Sequence, residues 1–240
     1  MQNIPLDHLL LIDIETVSER ATFNELQEDW KTLWEEKVKR ILPDEVSVSE
    51  FYQQRAAVMA EFSKIVCISV GYFKSTGNPS LLRVKSFYAE DEKMLLQEFI
   101  AALQKLEAHH PKWHFTGHNI KEFDIPFICR RLLINSIIIP PVLDFQNMKP
   151  WETNMIDTFQ YWRFGDYKQY TSLKLLAAAL NVPSPKDDID GSMVGDVYWK
   201  EKDLERIVTY CQKDVITTGN IVLRFKNLPL LREDQIEIVK

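Results

Sequence analysis

An apolar segment near the amino terminus carries two acidic side chains. Residues 9–15 read LLLIDIE, with the acids at Asp13 and Glu15. Apolar residues at nearly every position predict a central strand that is buried on both faces. Residues two apart on a strand project from the same face, so the two carboxylates repel each other and favour a divalent cation as compensation. Alternatively, the strand has reached its solvated end and Thr16 opens a loop.

The size and composition of the chain favour one folded unit. Its 240 residues are 45% hydrophobic and 27% charged, with few glycines and prolines for disordered linkers. We expect a single domain over residues 1–240. The apolar run 9–12 is far shorter than a membrane span and lacks the features of a signal peptide, so we expect a cytoplasmic protein with no membrane contact.

Cysteine content and net charge limit the redox compartment of the protein and the ways in which it could bind nucleic acid. Three cysteines cannot all pair within one chain, which favours a reducing compartment. A net charge of −6 fits poorly to a protein that binds nucleic acid through a broad basic face. The charge is compatible with an enzyme whose substrate phosphate meets bound cations.

The order of predicted elements indicates an α/β fold. Helical spacing over residues 19–63 predicts an inserted helical segment after the first strand. Residues 65–73 and 81–88 read as an antiparallel hairpin with a turn at 75–79. The rest alternates between helix and strand, which implies a parallel part of the sheet. Its predicted elements are a helix at 91–108, a strand at 113–116, a helix at 124–133, a strand near 154–158, a helix ending at Asn181 and a helix at 203–225.

A second acidic candidate lies at a predicted strand-to-helix junction. Asp124 comes two residues before Pro126, a position that suits the first turn of a helix. A helix N-cap therefore explains Asp124 without a metal. It does not explain why Asn119 and Phe123 accompany it at the mouth of the sheet, where α/β proteins commonly bind ligands.

The third candidate is on the last predicted helix. Tyr210 and Asp214 are four residues apart and are therefore neighbours on one helix face. Their face also contains Ile207 and Ile221 and borders the apolar stripe, whereas we expect Asn220 on the solvated face. Asp214 is therefore expected to be partly buried. A hydrogen-bonded pair at the edge of the core is the alternative.

Two other sets of residues are weaker candidates. Asp157 ends a predicted strand, where a capping role is favoured over support of a site. Histidines at 109, 110, 114 and 118 are close in sequence and suggest zinc. Pro111 and the following strand disrupt any single face that could present them to one ion.

Three segments, in order, resemble the motifs of DEDD-superfamily 3′-to-5′ exonucleases: residues 13–16 (DIET), 119–124 (NIKEFD) and 210–214 (YCQKD). The chain looks most like stand-alone bacterial exonucleases related to the proofreading domain of family-B DNA polymerases, in which residues 186–192 also have a counterpart. The spacing of Tyr210 and Asp214 marks the tyrosine subtype, DEDDy, since the histidine subtype would have His at position 209. The resemblance spans nearly the whole chain and is weakest over residues 19–63.

This resemblance implies a ribonuclease-H-like α/β fold with a mixed five-stranded sheet flanked by helices and a helical insertion after the first strand. It also implies that two Mg²⁺ or Mn²⁺ ions are held by four carboxylates, those of Asp13, Glu15, Asp124 and Asp214. One ion readies a water and the other stabilises the leaving 3′ oxygen. The Tyr210 hydroxyl orients the water, because an ordinary tyrosine pKa of about 10 makes it a poor base at neutral pH.

The substrate implied by the resemblance is single-stranded nucleic acid with a free 3′ end, with DNA favoured. Thr16 is expected to contact the terminal nucleotide through its backbone. Asn119 and Phe123 are expected to line the path of the strand, with Phe123 as a platform for base stacking. The alternative is a catalytically silent nucleic-acid-binding or interaction module of the same fold, with the insertion covering the site. Partners from DNA repair or replication are not identified by the sequence.

Overall fold

A mixed sheet of six strands lies at the centre of the fold. The structure is a computed structural model, and it describes residues 1, 3–74, 81–109, 113–146, 148–149, 152–183 and 189–239. The strands are β1 (Leu9–Ser18), β2 (Ser63–Lys74), β3 (Leu81–Tyr88), β4 (His114–Gly117), β5 (Met155–Asp157) and β6 (Ile236–Val239). Their order across the sheet is β5-β4-β1-β2-β3-β6. β1 is antiparallel to β2 and parallel to β4, so the central position predicted for it is confirmed.

Helices cover both faces of this sheet. They are α1 (Glu28–Val38), α2 (Val48–Arg55), α3 (Glu92–His109), α4 (Asp124–Ile134), α5 (Thr158–Arg163), α6 (Leu173–Ala179), α7 (Val194–Asp196) and α8 (Leu204–Phe225). A short π-helix, Val197–Glu201, joins α7 to the segment before α8. Within the ranges described, none of the helices combines the length and the apolar character needed to cross a membrane.

The alternation of side chains along β1 divides the core into two layers. Leu10 and Ile12 pack into the layer that contains α3 and α4. Leu9 and Leu11 pack into the layer beneath α8. Both sets are fully buried or nearly so, as the continuous apolar run predicts for a strand covered on both faces. This arrangement fixes which face receives the acids that follow on the same strand.

The α/β class, the mixed sheet and the antiparallel β2–β3 hairpin are confirmed. The turn predicted at 75–79 lies outside the described residues. The predicted strand count of five is wrong, because β6 adds a sixth strand parallel to β3 at the sheet edge.

The solvated position predicted for Asn220 is also wrong. It is buried, and its Oδ1 accepts a hydrogen bond from the Leu231 backbone N–H at 2.9 Å, which holds the segment leading to β6.

The segment between β1 and β2 has a small hydrophobic cluster of its own. Trp34 is fully buried there, with its ring 5.1 Å from the rings of both Tyr52 and Phe62. The cluster is attached to the end of β1, since the Thr16 hydroxyl donates to the Ala57 carbonyl at 2.7 Å. The inserted helices therefore stand beside the carboxyl-terminal end of the central strand.

Candidate active site

Asp13 and Glu15 project from β1 towards α8. Asp13 pairs with Ser69 and Glu15 with Cys67 across the β1–β2 ladder. Glu15 is only 8% exposed, and β1 continues beyond it to Ser18. The alternative in which the strand reaches its solvated end at these acids is therefore wrong. Two carboxylates occupy a strand interior, where burial penalises their charges.

Asp124 reaches β1 at the point where β4 separates from it. The two strands pair only over residues 9–11 and 114–116, so the backbone N–H of Ile14 has no partner in β4. The Asp124 Oδ1 accepts that N–H at 3.2 Å. The N-cap weighed as the alternative is wrong, because Phe123 occupies the cap position and Asp124 is the first residue of α4. Its carboxylate is 3% exposed and, besides interacting with the backbone N–H of Asp124 itself, reaches β1.

Helix α8 contributes the remaining candidate residues. Tyr210 and Asp214 are both half-buried, and the Tyr210 hydroxyl donates a hydrogen bond to the Asp214 carboxylate. The predicted partial burial of Asp214 and the hydrogen bond weighed as the alternative are thus both present. The hydrogen bond does not remove the pair from the candidate site, because Tyr210 also lies close enough to Asp13 and Glu15 for their charges to act on it.

The electrostatics show that the four carboxylates are mutual neighbours; we call Asp13, Glu15, Asp124 and Asp214 the carboxylate cluster. Burial raises the pKa of Asp13 well above its ordinary value, and the charges of Asp214 and Asp124 raise it further. Burial also raises the pKa of Glu15 strongly, with Asp13 and Asp214 adding to the shift. The pKa of Asp124 rises to about 7, mainly through burial, although the Ile14 N–H opposes the rise.

The donor set of the cluster fits hard divalent cations. Among the described residues, Asp13, Glu15 and Asp124 form no ion pair with a lysine or arginine. Asp13, Glu15 and Cys211 each present a ligand atom, and these three atoms lie within 4.8 Å of one another. Buried carboxylates that raise one another's pKa are stabilised by a cation that supplies positive charge.

Cys211 is a residue at this site that the sequence analysis missed. Its thiol donates to Asp13 Oδ2 at 3.3 Å, and the side chain is fully buried. This hydrogen bond lowers the pKa of Asp13 and partly offsets the effect of burial. The signal available was the position of Cys211 directly after Tyr210, on the helix face that turns towards the strand acids.

Asp157 organises the loop that presents Asn119. Its carboxylate caps α5 by accepting the N–H groups of Phe159 and Gln160, so the predicted capping role is confirmed. The same carboxylate accepts the Asn119 N–H at 3.0 Å and the Lys121 N–H at 3.2 Å. These bonds hold Asn119 in the left-handed conformation, with φ of 66°. Its side-chain Oδ1 is buried with no hydrogen-bond partner, which leaves an acceptor available to a ligand.

Thr16 and Phe123 flank the carboxylate cluster on different elements. The Thr16 hydroxyl is engaged with Ala57, so the backbone is the part of this residue left for a ligand. Phe123 is half-buried, and its ring lies 5.2 Å from that of Phe127. Thr16 follows Glu15 and Phe123 precedes Asp124 in the chain, whereas their contacts with substrate remain predictions.

The histidines do not gather into a metal site within the described ranges. Both ring nitrogens of His118 are engaged, with Nδ1 3.0 Å from the Thr158 hydroxyl and Nε2 2.8 Å from the Thr171 carbonyl oxygen. Burial lowers the pKa of His118, which favours a neutral ring. Residue 110, like the side chain of residue 109, lies outside what the structure describes. His118 therefore serves as a link between loops.

Comparison with known families identifies the chain. Residues 56–234 match the family described as "predicted 3′-5′ exonuclease related to the exonuclease domain of PolB". The chain belongs to this family. The match includes Asp124, Tyr210 and Asp214, whereas Asp13 and Glu15 precede it. The structure brings those two acids close enough to Asp124 and Asp214 for their charges to interact.

A solved structure supports the fold of this exonuclease family member. The family B DNA polymerase from the hyperthermophilic archaeon Pyrobaculum calidifontis matches with a TM-score of 0.54 and 18% sequence identity. The similarity covers 90% of this chain but only 24% of the polymerase. At this identity the likeness shows the ribonuclease-H-like fold alone. Comparison with curated proteins gives no match.

Proposed function

We propose that the protein is a metal-dependent 3′-to-5′ exonuclease that hydrolyses phosphodiester bonds at the 3′ end of single-stranded nucleic acid, with DNA favoured. The observation that supports this proposal most is the carboxylate cluster. Asp13, Glu15 and Asp124 form no ion pair with a lysine or arginine in the part of the chain that the structure describes, and the charges of the cluster act on one another. A hydrolase that acts on phosphate esters needs such a site for cations.

The four carboxylates are the proposed ligands of two divalent ions, Mg²⁺ or Mn²⁺. Oxygen ligands suit both cations. Bound there, the ions supply Lewis acidity and positive charge to the attacked phosphodiester. The chain's own contribution is to hold the ligands in place. Asp124 is fixed by the Ile14 N–H and Asp13 by the Cys211 thiol, so neither carboxylate has to reorganise when charge is added.

Tyr210 is the proposed group that orients the attacking water. Burial raises the pKa of its hydroxyl above the ordinary value, and the charges of Asp214 and Glu15 raise it further. The hydroxyl therefore stays protonated at neutral pH and acts as a hydrogen-bond donor and acceptor, without removing a proton as a base. Its hydrogen bond to Asp214 fixes the position of the phenol ring.

Substrate contacts follow from the residues that flank the cluster. The backbone of Thr16 is proposed to contact the terminal nucleotide, and the unpartnered Oδ1 of Asn119 to accept a hydrogen bond from the strand. Phe123, whose ring lies beside that of Phe127, is proposed as the ring on which a base stacks. We propose that the protein acts in the cytoplasm on free 3′ ends.

A polarity assay tests this function. A single strand labelled at its 5′ end is incubated with Mg²⁺ or with a chelator, alongside the same strand with a blocked 3′ hydroxyl. The proposal predicts progressive shortening from the 3′ end with Mg²⁺ only, and slower attack on the blocked strand. Binding without any cleavage, in Mg²⁺ as well as in a parallel reaction with Mn²⁺, would favour the silent module. Cuts in a circular single strand would identify an endonuclease instead, and matched RNA strands report the sugar preference.

A further inference from the structure

A loop between α5 and α6 exposes several aromatic side chains. This aromatic loop, residues 164–172, contains Phe164, Tyr167 and Tyr170, which are 83%, 77% and 63% exposed. Single exposed aromatics are ordinary, but three within seven residues form a patch, and such patches mark binding surfaces. The aromatic rings are not needed for the core, which lies beneath α5 and α6.

The backbone of the loop makes the exposed Phe164 more unusual. Phe164 has φ of 45°, and Gly165 follows with φ of 89°, so the chain turns sharply at the end of α5. A bulky residue in the left-handed region is strained, and glycine or asparagine is the usual choice there. Among the described residues, Phe164 is the one aromatic residue with positive φ. The Phe164 ring meets that of Tyr161, with centroids 5.8 Å apart, but most of its surface stays exposed, so this packing explains only part of the choice of a phenylalanine.

Specific contacts attach the loop to the substrate side of the active site. The Thr171 carbonyl oxygen lies 2.8 Å from Nε2 of His118, the residue directly before Asn119. Tyr170 packs on Phe159, with the ring centroids 4.9 Å apart. The Tyr170 hydroxyl is close enough to the cluster that the charge of Asp124 raises its pKa, in addition to the effect of burial. Tyr170 and Thr171 therefore connect the loop to the proposed strand path.

An arginine supports the rings from below. The guanidinium of Arg163 lies 3.9 Å from the centre of the Phe159 ring and 5.5 Å from that of Tyr167. It is tied to Glu122 at 3.3 Å, next to Phe123. Stacked aromatic and guanidinium planes are the features with which proteins bind unpaired bases.

We propose that the aromatic loop is a base-stacking platform for unpaired nucleotides of the strand whose 3′ end enters the carboxylate cluster. The proposal rests on the proposed function for its substrate class. It adds a reason for single-strand selectivity, since bases in a duplex are already stacked and paired and cannot lie on these rings. Phe164 and Tyr167 are the specificity-determining residues in this account, because they are the most exposed of the three.

Binding measured without turnover tests the platform. The dissociation constant of a fluorescently labelled single strand is determined by anisotropy in chelator for the wild type and for Phe164→Ala/Tyr167→Ala. An abasic strand of the same length retains the phosphates but offers no bases. Phe164→Tyr/Tyr167→Phe preserves the rings. Ile138→Ala is the matched control, because Ile138 is 90% exposed on a segment after α4.

The double alanine variant should weaken binding of the base-containing strand by roughly 10-fold or more, as expected for lost base stacking. The ring-preserving variant and Ile138→Ala should bind like the wild type. The abasic strand should bind weakly and equally to all four proteins. Unchanged affinity in the double alanine variant would overturn the platform, and so would an equal loss of affinity for the abasic strand.

Failure of the platform is distinguishable from failure of the proposed function. Strand cleavage by the wild type with Mg²⁺ is scored separately, because the binding comparison is made in chelator. Cleavage combined with unchanged binding of the double alanine variant rejects the platform alone. Absence of cleavage combined with the predicted binding pattern rejects the nuclease and retains the platform.

Discussion

Hydrogen bonds hold individual side chains of the carboxylate cluster in place. The Ile14 N–H fixes Asp124, the Cys211 thiol fixes Asp13, and the Tyr210 hydroxyl is bound to Asp214. The first two bonds join residues on different elements, whereas Tyr210 and Asp214 both belong to α8. Partners that orient ligands are important for metal sites because they remove alternative positions of the ligand atoms.

Replacing Cys211 with alanine should weaken Mg²⁺ binding by roughly 10-fold, as the loss of a group that orients a ligand typically does. Loss of the thiol leaves Asp13 without its donor at 3.3 Å. Calorimetric or competition titration of Mg²⁺ gives the affinity. Cys129→Ala is the control, because that thiol donates to the Leu143 carbonyl, and the residue packs against the α3–α4 core layer. Equal Mg²⁺ affinity in the two variants would show that Cys211 only fills space.

At the scale of elements, the site exists because β1 and β4 separate after a few paired residues. Gly117 ends β4 at the separation, and a Cβ there would lie 2.7 Å from the Ile12 carbonyl oxygen and 2.0 Å from Ile120 Cγ2. The close approach lets the following loop turn back and present Asn119. Beyond it, the unpaired edge of β1 is available to Asp124.

Gly117→Ala should lower the free energy of unfolding by about 2 kcal/mol, because a backbone oxygen and a branched side chain must both move to admit the methyl group. Gly191→Ala is the matched control, since a Cβ there meets nothing within 4 Å. Urea denaturation of the purified proteins measures both. If Gly117→Ala were as stable as Gly191→Ala, the approach of β4 to β1 would be looser than described.

The strong periodicities of the sequence predicted most elements, and the misses have physical causes. β6 is four residues long, and it forms at the sheet edge because β3 pairs with it and Asn220 anchors the preceding segment. Tertiary contacts of this kind leave no periodic pattern. In the same way, spacing predicted the face of Asp13 and Glu15, but not the Asp124 bond to Ile14, which requires knowing where two strands separate.

For the whole molecule, the cluster couples protonation to stability. The pKa of Asp124 is about 7 in the native metal-free protein, compared with an ordinary value of 3.8 in the unfolded chain. Between these values the native state binds more protons than the unfolded state, so this residue makes the free energy of unfolding fall as pH rises. Asp13 and Glu15 shift in the same direction.

Mg²⁺ should therefore raise the melting temperature more at about pH 8 than at about pH 5.5, because a cation replaces protons that the cluster has lost at the higher pH. Thermal melting with and without Mg²⁺ across this range measures the effect. Asp124→Asn removes one titrating ligand and should flatten the dependence. A gain in melting temperature that is the same at both pH values would argue against cation binding by these carboxylates.

The most direct test of the central claim compares Asp214→Asn and Tyr210→Phe by single-turnover cleavage across a Mg²⁺ titration, with thermal melting as the control for folding. Asp214→Asn removes a proposed metal ligand, so it should weaken metal binding and lower the rate by several orders of magnitude. Tyr210→Phe retains the ring and removes only the hydroxyl, so the rate should fall roughly 10- to 1,000-fold with the Mg²⁺ midpoint nearly unchanged. A folded Tyr210→Phe with full activity would contradict the role of the hydroxyl, and a folded Asp214→Asn with full activity would contradict the account of the carboxylate cluster as the catalytic metal site.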